Sequence, residues 1–372
     1  MDKSTNQTEK YAYWLCSICT HRVQKKLLRI CTSAQEVYEL TEKQMETLST
    51  SSRIQEDDIA KLIESKKEWD LDREWERLVK ANISFTSLED VKYPSKLRNL
   101  ADAPYALFYR GKLPEDAGMC TAIVGARMCS EYGRGMAKEI AQELAAHDVS
   151  VISGMASGID AAGHRGALLS GGDTYAVLGS GADVCYPNYH KQLYYEIIQQ
   201  GGVLSEYLPG TRPMSWNFPR RNRIISALSD VVLVIEAKQK SGSLITADFA
   251  LEQGKDVYAL PGRVTDSLSA GCNRLIAQGA GPILSVEDLL EELSLLPLTA
   301  SRNQKNLKSK KLPLEKDELL VYGCLGLLPL GLEEILEKTG LNIQTASCIL
   351  VSLQQKGLIQ EIYKNYYKIS VE

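Results

Sequence analysis

The sequence predicts an α/β protein built on a doubly wound, mostly parallel sheet, with a helical unit before it and a small helix-and-hairpin unit after it. Three observations carry that expectation. From Thr121 onward, short Val- and Ile-rich runs alternate with amphipathic helical stretches. Before residue 90 the apolar positions keep a helical period and β-branched runs are few. After residue 317, two helical stretches lead into an alternating segment that turns in its middle. Strands alternating with helices of such length form βαβ units, and those build parallel sheets.

At 372 residues the chain is too long for one domain of ordinary size. The pattern divides it into a helical domain (1–90), a sheet domain (91–299), a basic linker (300–316) and a terminal domain (317–372). Hydrophobic residues at 44% and charged residues at 24% are ordinary for a soluble protein. A net charge of −4 excludes a chain that is basic all over, so any nucleic-acid site must be a patch. The polar start MDKSTNQTEK lacks the apolar stretch of a signal peptide, and no run approaches a membrane span. A cytoplasmic protein with no membrane partner is expected. The nine cysteines are odd in number and scattered, as free thiols in a reducing compartment would be. Cys16 and Cys19, with His21 close by, fall short of a zinc ligand set and read as apolar-face residues.

In chain order, helices are predicted within Trp14–Ile30, Ala34–Leu48 and Ile59–Ile63, and Asn99–Leu113 leads into the sheet. Strands are predicted at 121–126, 149–154, 174–180, 202–207, 230–237, 256–262 and 282–286. Helices Tyr132–Ala146, Ile159–Leu169 and Tyr189–Gln200 lie between the first four. Ligands of such sheets bind beyond the carboxyl ends of the strands. The residues there are Gly125-Ala126-Arg127, then Ser153-Gly154 through Gly158 to Asp160, then Gly179-Ser180-Gly181, then Ser205 to Arg212 and Pro213, then Lys238 with Ser241-Gly242. Glycines let an anion approach backbone N–H groups at a positive helix end. Each glycine alone is as well explained by a tight turn. Several on one sheet edge, with Arg127 and Lys238 nearby, predict a phosphate cradle.

The most informative stretch is SWNFPRRNRIISALS (215–229). It sets Trp216 and Phe218 beside Arg220, Arg221, Asn222 and Arg223, with no acid among them. Trp216 and Phe218 lie in a segment bounded by Pro213 and Pro219, which reads as a loop. Arginines contact phosphates and aromatic rings stack on unpaired bases, so the stretch points to single-stranded nucleic acid.

Asp160 and His164 stand at i and i+4 of one helix and share a face. They suit a catalytic couple, or a helix-start carboxylate plus a histidine bonded to a loop; no nucleophile or metal partner accompanies them. The dinucleotide fingerprint G-x-G-x-x-G and the Walker loop are both missing. Hydride transfer and ATP hydrolysis are therefore not expected, and no cofactor is implied.

The segment 300–316 carries six Lys or Arg and one acid and reads as a flexible linker. Beyond it, a helix ended by Gly340, a longer helix over 343–359 and a hairpin turning at Lys364–Asn365 follow the order of a winged helix-turn-helix. Its second helix offers a single positive charge, Lys356, so protein contact or weak DNA contact is expected rather than sequence reading.

These residues resemble the DNA-processing protein A family, also called DprA or Smf. The resemblance rests on Gly125-Ala126-Arg127, SGMASGID with His164, AVLGSGADVCYP, LSEYLPG, NFPRRNRIIS, VIEAKQKSGSLITA, ALPG at 259–262 and GCNRLIAQGA at 271–280. It spans Tyr93 to about Ala280. Ala227 and Gly163 depart from the family pattern but keep their sites small. The resemblance implies an extended Rossmann domain that binds single-stranded DNA, forms a homodimer and loads the RecA recombinase on incoming strands during natural transformation. It also fits a helical first domain, SAM-like or helix-hairpin-helix-like, and a C-terminal winged-helix domain. Carried over by position, Arg127 and the 217–223 segment would touch DNA, and the Gly-rich loops would hold phosphates. The surface around Leu251 and Ile276 would face a second subunit or the recombinase. Two other readings compete. One is a nucleotide phosphoribohydrolase on the same fold, whose PGGxGTxxE motif is missing from KSGSLITADFALEQG. The other is an interaction scaffold with vestigial loops. The enzyme reading is not favoured.

Overall fold

The computed structural model of the chain describes residues 3–52, 54–295, 316–326 and 329–370. It divides into two compact units, Met1–Leu296 and Pro297–Glu372.

The first unit opens with helices α1 (Lys3–Ile18), α2 (His21–Leu27), α3 (Ala34–Glu39), α4 (Glu42–Ser52), α5 (Glu56–Glu68) and α6 (Leu71–Lys80). Strand β1 (Ser84–Ser87), helix α7 (Ser95–Arg98) and strand β2 (Ala106–Gly111) follow. The alternating part comprises β3 (Cys120–Val124), α8 (Glu131–Ala146), β4 (Ser150–Ser153), α9 (Ile159–Leu169), β5 (Thr174–Val177), α10 (Lys191–Gln200) and β6 (Gly202–Ser205). It continues through α11 (Asn217–Leu228), β7 (Val231–Val234), α12 (Gly242–Glu252), β8 (Asp256–Ala259), α13 (Ala270–Ala277), β9 (Gly281–Pro282) and α14 (Val286–Glu292).

The strands form one sheet in the order β1-β2-β6-β5-β4-β3-β7-β8-β9. It is parallel from β6 to β9, and β1 and β2 add an antiparallel edge. Central strands β3, β5, β6 and β7 are buried throughout, as sheets covered on both faces require. Successive residues point to opposite faces. Ala122, Val124, Val232 and Val234 pack in one core with Ile224, Leu228 and Cys272. Ile123, Leu233 and Ile235 pack in another with Ile140, Leu144 and Leu289. The doubly wound, mostly parallel sheet is thus present as the alternation predicts.

Two expectations are corrected. The boundary at residue 90 does not separate two bodies. Strand β1, inside the segment expected to be all helical, pairs with β2 with Phe85 opposite Phe108. Tyr13 of α1 sets its ring 5.8 Å from Phe85 and 5.9 Å from Phe108, so the helices share a core with the sheet edge. Four residues of strand are too short to stand out against a helical neighbourhood. The second correction concerns the loop expected between Pro213 and Pro219: its last three residues, 217–219, already belong to helix α11. Pro219 sits in its first turn, where a backbone N–H has no intrahelical acceptor and proline costs nothing.

The second unit contains α15 (Lys316–Cys324), β10 (Leu330–Gly331), α16 (Leu332–Thr339), α17 (Ile343–Gln355), β11 (Ile359–Tyr363) and β12 (Tyr366–Ile369). Its strands order as β10-β12-β11 over a core of Val321, Ile335, Leu350, Leu353 and Ile359. Gly340 ends α16 in the left-handed region (φ 68°), and Asn342 caps α17 by accepting from the Thr345 N–H. The hairpin turns at Lys364–Asn365, where the sequence puts it. Of the expected basic linker, residues 300–315 lie outside the described residues and Lys316 begins α15.

Candidate nucleic-acid interface

Strands β3 and β7 are neighbours, yet β3 hands the chain on toward β4 on one side while β8 follows β7 on the other. Loops leaving such a switch point diverge and open a crevice. A pocket of about 270 Å³ occupies this place. Gly125 and Arg127 from the β3 loop, Phe218 and Asn222 from α11, and Ser241 and Gly242 from the start of α12 line it.

The rim is exposed and positive. Arg127 is exposed, and its guanidinium lies 5.3 Å from the centre of the Phe218 ring. That cation–π contact fixes the arginine without neutralising it. Trp216 is 66% exposed. Arg220 is exposed too, its Nε 3.9 Å from Glu206. At the start of α12 the Ser241 hydroxyl accepts from the Ser243 N–H (3.4 Å), and Gly242 has open space where a side chain would stand. The positive end of an eleven-residue helix, left open at Gly242, favours an anion. Asn222 donates to the Gly242 carbonyl (3.2 Å), so α11 holds that helix start in place.

The floor is buried. Arg221 is 4% exposed. Its Nη1 donates to the carbonyls of Gly154 (3.0 Å) and Val177, and its Nε to Asn222 Oδ1 (3.2 Å). Burial lowers its pKa to about 10, against the pull of Asp160. Asp160 accepts from the N–H groups of Gly154 (3.2 Å) and Ala156 (3.3 Å). Burial raises its pKa; Arg221 and these two N–H groups oppose the rise. His164 does not meet Asp160. Its Nδ1 pairs with Thr174 Oγ1 at 2.7 Å, and burial drives its pKa down to about 3. Asp160 thus stands at the helix start, and His164 bonds the first residue of β5 rather than a loop.

Several expected contacts are therefore corrected. Arg223 is buried and forks onto Glu206 (2.9 and 2.7 Å), with Asp102 3.3 Å from its Nε. Four of its five N–H groups are taken within the protein. Arg221 lines the pocket and gives its Nη1 to two carbonyls and its Nε to Asn222. Gly154 leaves room for Arg221, since a methyl there would lie 2.5 Å from Nη2. Gly179 does the same for Phe218 at 2.8 Å, and Gly158 for the Ala126 carbonyl. Gly181 would meet Asp183 and Leu208 at 2.7 Å. Ser153 is buried and donates to the Ile123 carbonyl (2.6 Å). At these glycines protein groups occupy the space a side chain would need. Ala126 is buried; Arg212 and Lys238 are exposed but do not line the pocket. Leu251 is exposed, whereas Ile276 packs partly against the core. Sequence reading missed Glu206 and Asp102, which are remote in sequence from the arginine they hold. It also missed Tyr186, whose ring lies 5.5 Å from Phe218. Among the described residues no His, Cys, Asp or Glu group could hold a metal ion, and no helix is long and apolar enough to cross a membrane.

Comparison with known proteins agrees with this architecture. Residues 84–294, from β1 to the end of the sheet domain, match the family described as DNA recombination-mediator protein A. The DNA processing protein DprA of Streptococcus pneumoniae is 46% identical over 209 residues, 56% of this chain and 73% of that protein. The X-ray structure of DNA processing protein A from Streptococcus pneumoniae superposes with a TM-score of 0.66 at 36% identity, over 76% of this chain and 97% of that one. DNA processing protein A from Helicobacter pylori, solved for its single-stranded DNA binding mode, gives a TM-score of 0.52 at 31% identity, over 57% and 97%. The match covers more than half of the chain and includes the loops that build the pocket: this chain belongs to the DNA recombination-mediator protein A family.

Proposed function

We propose that the chain binds single-stranded DNA along the rim of the switch-point pocket and acts as a recombination mediator. It protects incoming strands and loads the RecA recombinase on them during natural transformation. One observation carries the DNA reading: Arg127, exposed and unneutralised, rests on Phe218 beside the open helix start at Gly242. A phosphate can thus meet a guanidinium and a positive helix end together, with the exposed Trp216 at the N-cap of α11 for an unpaired base. The single-stranded DNA binding of the Helicobacter relative supports the same reading. Its place of work is the cytoplasm, where the recombinase acts, and its exposed Leu251 suits a homodimer contact.

The role is binding rather than catalysis. The pair that would suit a catalytic couple, Asp160 and His164, is tied to the protein's own backbone and to Thr174. The terminal unit, read as a winged helix, serves protein contact or weak DNA contact, because the one cation of α17 and its cap is neutralised: Lys356 Nζ lies 2.6 Å from Glu318.

The test is a gel shift of the full chain with an oligo-dT strand and with a duplex of equal length, in low and moderate salt. Preference for the single strand, weakening as salt rises, is expected. Failure to shift the single strand at low salt overturns the proposal. Release of free base from nucleoside monophosphates would return the enzyme reading. Strand-exchange assays with RecA on protein-coated single strands test the loading step.

A further inference from the structure

The loop that follows β5 carries two aromatic rings that the site described so far does not use. Tyr186 is 42% exposed and Tyr189 is 74% exposed. Neither lines the pocket, but each adjoins its edge through a neighbour. The Tyr186 ring lies 5.5 Å from that of Phe218, with the planes 31° apart. The Tyr189 hydroxyl is hydrogen-bonded to Ser157 Oγ, one residue beyond Ala156, which lines the pocket. The Tyr189 ring also meets the edge of His190 at 4.7 Å and 84°.

Rings held this way are oriented before any ligand arrives, so little ordering entropy is lost when a base stacks on them. Phe218 is differently placed: it packs against Gly179, carries Arg127 and abuts Tyr186, so it supports the array more than it offers a surface. Trp216 is well exposed but has no ring neighbour among the described residues.

We infer that Tyr186 and Tyr189 form a stacking platform for two unpaired nucleobases, continuing the strand's path from the Arg127–Phe218 corner across the β5 loop. This rests on the single-stranded DNA reading above. The ligand class is any unpaired base, because each base presents a π-face. Neutral rings displace no counterions, so the platform adds affinity without adding salt dependence.

The experiment uses the full chain, oligo-dT, and an abasic strand of equal length and charge. The wild-type chain should bind the abasic strand more weakly. The Tyr186→Ala/Tyr189→Ala variant should lose affinity for oligo-dT by about fivefold to a hundredfold per ring. It should discriminate less against the abasic strand and keep the wild-type salt slope. The Tyr186→Phe/Tyr189→Phe variant, which keeps both rings, should stay close to wild type. As a second measurement, a strand carrying 5-iododeoxyuridine should photocrosslink to Tyr186 or Tyr189 in the unmodified chain, which covers the case of an alanine variant that misfolds. Oligo-dT binding unchanged by the double alanine substitution overturns the inference while leaving the DNA reading intact. So does an equal loss on the dT and abasic strands, or crosslinks that all fall elsewhere. If the wild-type chain binds no single strand, this inference falls with the reading beneath it.

Discussion

The floor and the rim of the pocket use the same residue types for opposite ends. Within one turn and a half of α11, Arg220 is exposed while Arg221 and Arg223 are buried. Arg221 holds carbonyls from the ends of β4 and β5, and Arg223 holds Glu206. Arg127, from another loop, keeps its guanidinium on a ring and its charge unpaired. The difference teaches that an arginine-rich segment is not itself a DNA site. Part of it builds the surface on which the remaining, unneutralised charge is displayed.

If that division is right, floor and rim substitutions must fail in different assays. The largest effect is expected from Arg221→Ala. It takes a buried donor away from the Gly154 and Val177 carbonyls and from Asn222 Oδ1, a loss of about 1–3 kcal/mol for each acceptor left unsatisfied. Denaturant unfolding should show a marked fall in midpoint. A midpoint equal to wild type, with DNA affinity lost, would move Arg221 to the rim.

The next effect separates floor from rim by pH. His164 is buried neutral, its pKa lowered from 6.5 to about 3 by burial, with Arg221, Arg165 and His190 adding to the fall. The unfolded chain takes up a proton below the ordinary value and the folded chain does not. Stability from this group is therefore whole above about 6.5 and drains as pH falls toward the folded value. At about one unit below 6.5 the loss is about 1.4 kcal/mol. His164→Gln should flatten the stability profile between about pH 7 and 5. A profile as steep as wild type would show that acid sensitivity arises elsewhere.

How far the sequence disclosed this division depends on the kind of information each part needs. The sheet was legible because buried parallel strands write continuous Val and Ile runs, as in 121–124 and 231–234. The rim was legible at Arg127 and Gly242, where a strand end and a helix start mark the loop. The floor was not. Glu206 stands on the loop after β6 and Asp102 after α7, so the partners of Arg223 are brought in by the fold alone. The glycines misled for a related reason. Gly154 and Gly179 look like open phosphate seats in sequence, but Arg221 and Phe218 fill the space they leave. Strand β1 was hidden because its four residues follow six helices and pair with a strand more than fifteen residues away.

On the rim, Arg127→Ala should leave the unfolding midpoint unchanged and weaken single-strand binding about tenfold, the order of one charge-assisted contact. The salt slope should fall by about 0.7, the value of one phosphate on a single strand. Arg220→Ala should follow the same pattern with a smaller loss, because Glu206 at 3.9 Å already draws on its charge. Unchanged affinity in both variants would dissolve the distinction between rim and floor.

The smallest effect belongs to the second unit and tests whether unpaired charge is the right criterion. Lys356 is the one cation that α17 and its cap offer, and Glu318 accepts from it at 2.6 and 2.7 Å. The Ser352 hydroxyl donates to the same carboxylate at 2.6 Å. A cation already compensated in this way has little field left for a phosphate. Lys356→Ala should therefore change single-strand affinity by less than about 0.5 kcal/mol and leave the salt slope as it was, like an ordinary surface substitution. A loss comparable to that of Arg127→Ala would mean that the Glu318 pair opens on DNA, and that pairing in the free protein does not decide which arginines and lysines make the site.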